Sequence, residues 1–332
     1  MRLPSFQYLE PTQVDEALSI LESYRDRVKI CAGGTEVINH LKLRLIQLGA
    51  VMNIKKLPGL EGISEEAREM VIGANTTVKT ISQSPLMKGA CQAVAEAAFQ
   101  TASPTIAAMA TIGGNVLQNT RCLTYNQSGI VLQGLPACHK RGGDLCLAVK
   151  GSRRCFSVYQ GDLAPALIAL KARCVLVKKD ASRTIPLVEL YSGDGVKPWA
   201  LGEDELLTQI IIPKPKGLCA SAYRKFRIRG SVDFPLASAA ACLSLTDDGL
   251  LADSCLVIGA AGPAPRVVRQ AAAVLDGKKP EEADVMAAAE MAYEMSEGVD
   301  NLALPGSYRR KMVRVLTKRA IQATLETLKR RR

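Results

Sequence analysis

The sequence predicts an α+β protein: two small α/β units followed by a C-terminal α+β domain. Three observations carry this. Strand-like and helix-like apolar patterns alternate through the N-terminal two thirds of the chain. Paired glycines interrupt that alternation twice, at AGGTE (32–36) and TIGGN (111–115). After the breaker run KPKG (214–217), strands come first and helices afterwards, which is the α+β order. A length of 332 residues suits two or three domains.

In the first unit, residues 1–55, PTQVDEALSILESY carries Val14, Ala17, Leu18, Ile20 and Leu21 at helical spacing. VKICAG reads as a strand, AGGTE as a turn, VINHLKLRL as a helix and VMNIKKL as another strand. The second unit, residues 56–216, has a strand, a glycine turn and a helix start in MVIGANTTVKTISQS. CQAVAEAAFQTAS is a helical run, and the second glycine pair precedes an irregular turn. Periodicity fails across 121–158, an excursion too long for a compact domain unless it has a task. Order resumes at GDLAPALIALKARCVLVKK, where Asp162 is placed to cap a helix leading to a strand that ends near Lys178. TIPLVELYSG reads as a loop and ELLTQIIIPKP as the unit's last strand. In residues 217–332, SAYRKFRI, FPLASAAACLSL and SCLVIGAAG read as strands, the first two joined through Gly230. VRQAAAVL, EEADVMAAAEMAY and a long run over about 307–328 read as helices. The run LASAAACLSL suits a core strand and an interface equally.

Apolar residues make up 48% of the chain, as in a globular protein. No apolar run is long enough for a membrane span, and the N-terminus lacks a secretory h-region, so the cytoplasm is the expected location. The net charge of +11 raises nucleic acid as a partner. The charge is dispersed, however, and aromatic residues are only 4%, so stacking platforms are missing and no nucleic acid is expected. The terminal KRRR (329–332) reads as a solvated end. A basic face also suits an acidic protein partner or a charged ligand.

Paired glycines let a backbone approach a ligand closely, and successive amides in such turns cradle phosphate. Thr35 and Asn115 can add side-chain donors. Neither glycine stretch is GxGxxG or GxxxxGK[ST], so neither a Rossmann fingerprint nor a P-loop is supported. Of ten cysteines, six sit singly in apolar settings: Cys31, Cys91, Cys174, Cys219, Cys242 and Cys255. The other four, Cys122, Cys138, Cys146 and Cys155, lie in the polar excursion with spacing C-x15-C-x7-C-x8-C. That spacing lacks the C-x2-C of zinc ribbons and ferredoxins, so a zinc tetrathiolate, a [4Fe-4S] cluster and free thiols all remain open. Arg121, Lys140, Arg141, Lys150, Arg153 and Arg154 surround them against one acid, Asp144, and would balance either anionic metal group. His139 reads as solvent-facing and His40 as structural; two histidines and scattered carboxylates support no catalytic constellation, and no catalytic residue is assigned.

Together AGGTE, ATIGGN (110–115) and GDLAPALIAL (161–170) resemble the flavin subunit of the xanthine dehydrogenase (molybdenum hydroxylase) family, over nearly the whole chain. The resemblance implies a two-subdomain, PCMH-type FAD-binding region followed by a C-terminal domain like that of the carbon monoxide dehydrogenase flavoprotein. It implies that Ala32, Gly33, Gly34, Thr35 and Glu36, with Thr111, Gly113, Gly114 and Asn115, hold the FAD pyrophosphate side. Asp162 matches an aspartate at the ribose or ribityl part, and Tyr223 and Lys225 match a Tyr-x-Lys pattern near the isoalloxazine. About 40 residues intervene between the second glycine turn and the GD pair. A cysteine-bearing insertion there is similar to the beta subunit of 4-hydroxybenzoyl-CoA reductase. This likeness implies a [4Fe-4S] cluster on Cys122, Cys138, Cys146 and Cys155. It also implies a partner large subunit with the molybdopterin cofactor, a small subunit with two [2Fe-2S] clusters, assembly as a dimer of heterotrimers, and a ferredoxin-type donor. Iron–sulfur beside flavin makes an electron route, whereas zinc only staples a loop.

Overall fold

The computed structural model describes residues 2–215 and 217–332; Lys216, within the KPKG breaker run, lies outside the described residues. Three sheets form the frame. The first is parallel, with β1 (Gln7–Leu9), β2 (Val28–Cys31) and β3 (Ala50–Asn53) in the order β1-β3-β2. The helix Val14–Tyr24 covers it, burying Ala17, Leu18 and Leu21 at helical spacing against Val28, Ala50 and Met52.

The second sheet is antiparallel and five-stranded. It comprises β4 (Ile63–Glu65), β5 (Glu69–Gly73), β6 (Arg173–Lys178), β7 (Ala181–Pro186) and β8 (Leu206–Pro213), ordered β4-β5-β8-β6-β7. Helices Gln92–Gln100 and Leu163–Ala169 pack in the same core as β5, β6 and β8. The start of TIPLVELYSG, expected to be a loop, belongs instead to strand β7, an edge strand paired with β6. Its side chains are exposed except Ile185, which packs on the core, so it carries no apolar alternation to read. The edge strands β1 and β4 have three residues each, below the length at which a period shows.

The third sheet is antiparallel, ordered β12-β11-β10-β9 from β9 (Leu218–Phe226), β10 (Ala237–Leu245), β11 (Leu251–Gly259) and β12 (Arg266–Val267). Helices Gln270–Leu275, Glu282–Met295 and Gly306–Arg331 share one core with Ala239, Ala241, Leu256 and Ile258. The alternate residues Tyr223, Ala240 and Val257 join the core of the five-stranded sheet instead. Period-2 alternation thus sends successive side chains of β10 into two different cores. This settles the run LASAAACLSL as a core strand, and its alanines are the size that two close-packed helical layers allow.

Ile258 is fully buried between β11 and the C-terminal helices. Ile258→Ala is expected to cost about 2–5 kcal/mol by transfer and cavity terms. The check is the urea midpoint of the C-terminal domain's transition, which should fall with little change in slope.

Candidate functional site

AGGTE leaves the C-terminal end of β2 and enters the helix Val37–Leu43. TIGGN precedes the irregular stretch that begins at Leu117. It opens a short helix, Ile112–Val116, with the Thr111 hydroxyl accepting the Gly114 N–H at 3.1 Å. The Ile112 and Gly113 N–H groups donate to the carbonyls of Thr76 and Ala74, each at 2.9 Å, which fixes this turn beyond the end of β5. The two glycine turns meet. A Cβ on Gly33 would stand 2.0 Å from the Met109 carbonyl oxygen, so only glycine permits the approach. A Cβ on Gly113 would press on Ala74. Gly34 has φ +70°. Among the described residues, no protein acceptor takes the backbone N–H of Gly33, Gly34, Thr35 or Glu36. Four consecutive uncommitted amides in a tight turn are a ready anion cradle. Ala32 lies at its base, packed against the first core.

The Glu36 carboxylate, by contrast, is committed within the protein. It accepts the Asn119 N–H at 3.2 Å and so clasps the first turn to the chain beyond the second. Burial pushes its pKa up to about 7, against the opposing pull of the Asn119 hydrogen bond and of Arg121, Lys140 and Lys29. His40 is buried and structural; desolvation and the same cations lower its pKa to about 4.

Asp162 corrects a sequence expectation. Its carboxylate does not cap the helix Leu163–Ala169. The Asn115 side-chain oxygen accepts the Leu163 N–H at 3.0 Å and does that work. Asp162 instead accepts from the Tyr223 hydroxyl at 2.8 Å and from Lys225 Nζ at 3.0 Å, with both charged side chains almost wholly buried. Desolvation pushes the Asp162 carboxyl up and the Lys225 ammonium down, and each partly offsets the shift in the other. Asp162, Tyr223 and Lys225 thus join in one constellation that links the GD turn to β9. Sequence reasoning did not reach the supports behind it. The Tyr159 hydroxyl reaches the Asn115 carbonyl at 2.9 Å, and Tyr191 packs edge-on against Tyr159. A Cβ on Gly161 would strike the Tyr159 hydroxyl, so the glycine of the GD pair was the readable signal.

The cysteine excursion is closed at its stem by a two-residue antiparallel bridge, Arg121 to Val158, with both hydrogen bonds at 2.8 Å. Within it only one short α-helix, Gly129–Gln133, and a single 3₁₀ turn, His139–Arg141, are regular. Cys122, Cys138, Cys146 and Cys155 line one pocket, and the other six cysteines do not. Thr124 Oγ1 stands 3.1 Å from Cys122 Sγ, and Ser157 Oγ stands 3.2 Å from Cys155 Sγ. Burial raises the Cys155 pKa, with Ser157 and Lys140 opposing. Among the described residues no group of three or more His, Cys, Asp or Glu side chains is already gathered around a single ion position. A zinc tetrathiolate needs four sulfurs about 2.3 Å from one ion, whereas a cubane offers four separate irons to them. Four thiols around one pocket are a donor set that suits either group.

Two expectations for this loop change. His139 is only partly solvent-facing; it is half-buried, with its Nε2 3.0 Å from the Ser152 carbonyl. Lys140 is not part of an open basic face. Its ammonium turns inward, donating to Asn119 Oδ1 at 2.8 Å, to the Gly195 carbonyl at 2.7 Å and to Thr120, and burial lowers its pKa to about 8. Gly195 also went unnoticed in the sequence, where nothing marks it. A Cβ there would be 2.8 Å from Cys155 Sγ.

Gly33→Ala is expected to abolish flavin retention, because its Cβ meets backbone that no rotamer can move. The check is flavin absorbance per chain after gel filtration, and a full complement of bound flavin would sink the cradle assignment. Glu36 supplies a pH dependence. Its folded pKa, about 7, exceeds the ordinary 4.5, so between those values the native state holds more protons than the unfolded one. Stability of the flavin-free chain should therefore fall as pH rises from 4.5 to 7. Urea midpoints at pH 5 and pH 8 should differ less in Glu36→Gln than in the parent chain.

The FAD binding domain in molybdopterin dehydrogenase matches residues 4–215, and the CO dehydrogenase flavoprotein C-terminal domain matches residues 221–324. The nicotinate dehydrogenase FAD-subunit of Eubacterium barkeri is 27% identical, with 83% of this chain and 81% of that protein covered. The carbon monoxide dehydrogenase medium chain of Hydrogenophaga pseudoflava is 27% identical over 96% of this chain and 97% of its own. In the solved structure of that organism's carbon monoxide dehydrogenase, the matching chain superposes with a TM-score of 0.81 at 25% identity, covering 98% of this chain and 99% of that one. The quinoline 2-oxidoreductase of Pseudomonas putida 86 shares the fold, with a TM-score of 0.79 at 20% identity over 99% of both chains. With the family match spanning most of the chain, this protein belongs to the FAD-binding medium subunits of the molybdenum hydroxylase and CO dehydrogenase family.

Proposed function

We propose that this chain is the flavin and iron–sulfur electron-transfer subunit of a molybdenum-dependent reductase similar to 4-hydroxybenzoyl-CoA reductase. On this reading the enzyme reductively removes a phenolic hydroxyl from an aromatic acyl-CoA, and that chemistry belongs to a partner subunit. The chain would work beside a molybdopterin-binding large subunit and a small subunit with two [2Fe-2S] clusters, as a dimer of heterotrimers. A ferredoxin-type protein would be its donor. The observation that supports this most is the pocket that gathers Cys122, Cys138, Cys146 and Cys155 and no other cysteine of the chain.

The residues present suit both groups. Ala32 through Glu36, with Thr111, Gly113, Gly114 and Asn115, would hold the FAD pyrophosphate side, with Asp162, Tyr223 and Lys225 toward the rest of the cofactor. The four cysteines would hold a [4Fe-4S] cluster. FAD exchanges electrons in pairs or singly and a four-iron cluster exchanges them singly, which suits a relay. The protein's own part is to bind, orient and exclude water. The first glycine turn presents amides, the second packs against it with its own amides bonded inside the protein, Asp162 and Lys225 fix a charge pair in a buried wall, and the Arg121–Val158 bridge closes the stem of the thiol loop. Lys150 and Arg153 stay exposed on the loop and would favour an acidic donor.

The names of the relatives favour a second reading, the FAD subunit of a related hydroxylase or dehydrogenase. They are named for nicotinate and carbon monoxide, not for an acyl-CoA.

Anaerobic purification with iron, sulfide, zinc and FAD analysis separates the readings. About four irons and four sulfides with one flavin are expected for a cubane site. One zinc without sulfide makes the loop a structural staple, and flavin alone supports the second reading. Cys146→Ser should lose iron and sulfide while keeping FAD, since the loop closes on its own stem; retention of the full iron content would remove Cys146 from the ligand set.

A further inference from the structure

Lys140 is the one cation of the cysteine loop that the structure turns into the pocket. It lines the same pocket as the four thiols. Its hydrogen-bond partners are all neutral: Asn119 Oδ1, Thr120 Oγ1, the Gly195 carbonyl and, at 3.5 Å, Ser157 Oγ. The Tyr125 ring covers it at 5.2 Å. Cys122, Cys138 and Cys155 line the pocket around it, and the Glu36 carboxylate lies one hydrogen bond beyond Asn119. An enclosed ammonium held by neutral oxygens alone is poorly compensated. It becomes compensated when the surrounding thiols carry charge, as thiolates bound to metal do. Three features keep it there. The Gly195 carbonyl comes from a different part of the chain, and Gly195 has no room for a side chain beside Cys155. Asn119 is itself clasped by Glu36 of the first glycine turn. Ser157 bridges from Lys140 to Cys155 Sγ.

We propose that Lys140 is the built-in counter-charge of the cysteine pocket, a positioning residue that favours an anionic metal–thiolate group and raises its reduction potential. The proposal rests on the metal reading of the four cysteines but not on the identity of the metal. Net charge near an iron–sulfur group shifts its potential, and a nearby positive charge stabilises the reduced, more negative state. The same ammonium, through Asn119 and Glu36, ties the pocket to the flavin cradle.

The test compares the full parent chain with Lys140→Gln and Lys140→Arg, purified anaerobically. Gln keeps a polar group without the charge, and Arg keeps the charge. Two readouts are taken. Cobalt(II) is titrated into metal-free chain by its thiolate charge-transfer absorption, and the iron cluster, loaded with iron and sulfide, is titrated for its midpoint potential. Lys140→Gln is expected to bind cobalt about tenfold more weakly and to hold a cluster whose reduction is about tenfold less favourable, about 59 mV lower for one electron. Lys140→Arg should stay near the parent in both, and flavin content should not change in either. Parent-like values in Lys140→Gln overturn the proposal. So does equal damage in Gln and Arg, which marks a mere strut. If the parent binds cobalt but assembles no iron, the cluster reading fails and cobalt affinity alone decides the counter-charge. If it binds neither metal, both fall.

Discussion

The site depends on one close approach: the bare α-carbon of Gly33 against the Met109 carbonyl. The two glycine turns come from distant parts of the chain, and this contact sets their separation. Around it the chain spends backbone hydrogen bonds, Ile112 to Thr76, Gly113 to Ala74 and Val78 to Ala110, so that the second turn cannot retreat from the first. Each such bond contributes roughly 0.5–1.5 kcal/mol net. A side-chain atom forced to 2.0 Å from a backbone oxygen outweighs any one of them, and it can be relieved only by moving a whole turn. The Glu36 clasp on Asn119 then carries the same separation outward to the cysteine loop.

The C-terminal domain is a wall of this site. Its strand β9 supplies Tyr223 and Lys225 to Asp162, and its strand β10 is buried on both faces. A buried ion pair is weak evidence for stability, because desolvation of two charges offsets much of their attraction. Its value here is registry. Breaking one partner strands the other charge, at roughly 3–5 kcal/mol, so β9 and the GD turn are held in one relative position. That fixity holds Tyr223 and Lys225 against the GD turn.

Most of the architecture was legible because its elements alternate or repeat on their own periods. The helix Val14–Tyr24 and strands β8, β9, β10 and β11 bury alternate or stacked apolar residues, and each reads directly. Strand β7 escaped because Ile185 alone of its side chains is drawn toward the core, and β12 because it has two residues. The glycine pairs were visible as motifs, yet their mutual contact was not, since it involves the plain residue Met109. Asp162 was seen in the right place with the wrong partner: local sequence offers helix capping, but the buried cation of Lys225 is a stronger claim on a carboxylate than an amide. Lys140 looked like one of six similar cations, because nothing in a sequence says which charge faces inward.

The loop itself is inexpensive to add and hard to order. Loop-closure entropy grows slowly with length, about 0.6 kcal/mol per doubling, so an excursion closed by the Arg121–Val158 bridge burdens the scaffold little. Ordering its interior is another matter. Its fully buried residues include Cys122, Tyr125, Leu132 and Cys138, few for its length, while Leu123, Ile130 and Val131 are exposed. Polar ties replace a core: Lys140 to Gly195, Asn301 to the Phe156 carbonyl, Leu123 N–H to the Asn301 carbonyl at 2.9 Å, and Arg154 to Glu297 at 3.2 Å. These reach both the FAD-binding region and the C-terminal domain, so the ends and one side of the loop are fixed while its centre is lined by thiols. Metal binding to such ligands is coupled to folding, because the binding energy is spent on ordering the chain that supplies them. A group joining the four thiols would therefore act as the small core that this loop's own sequence does not provide.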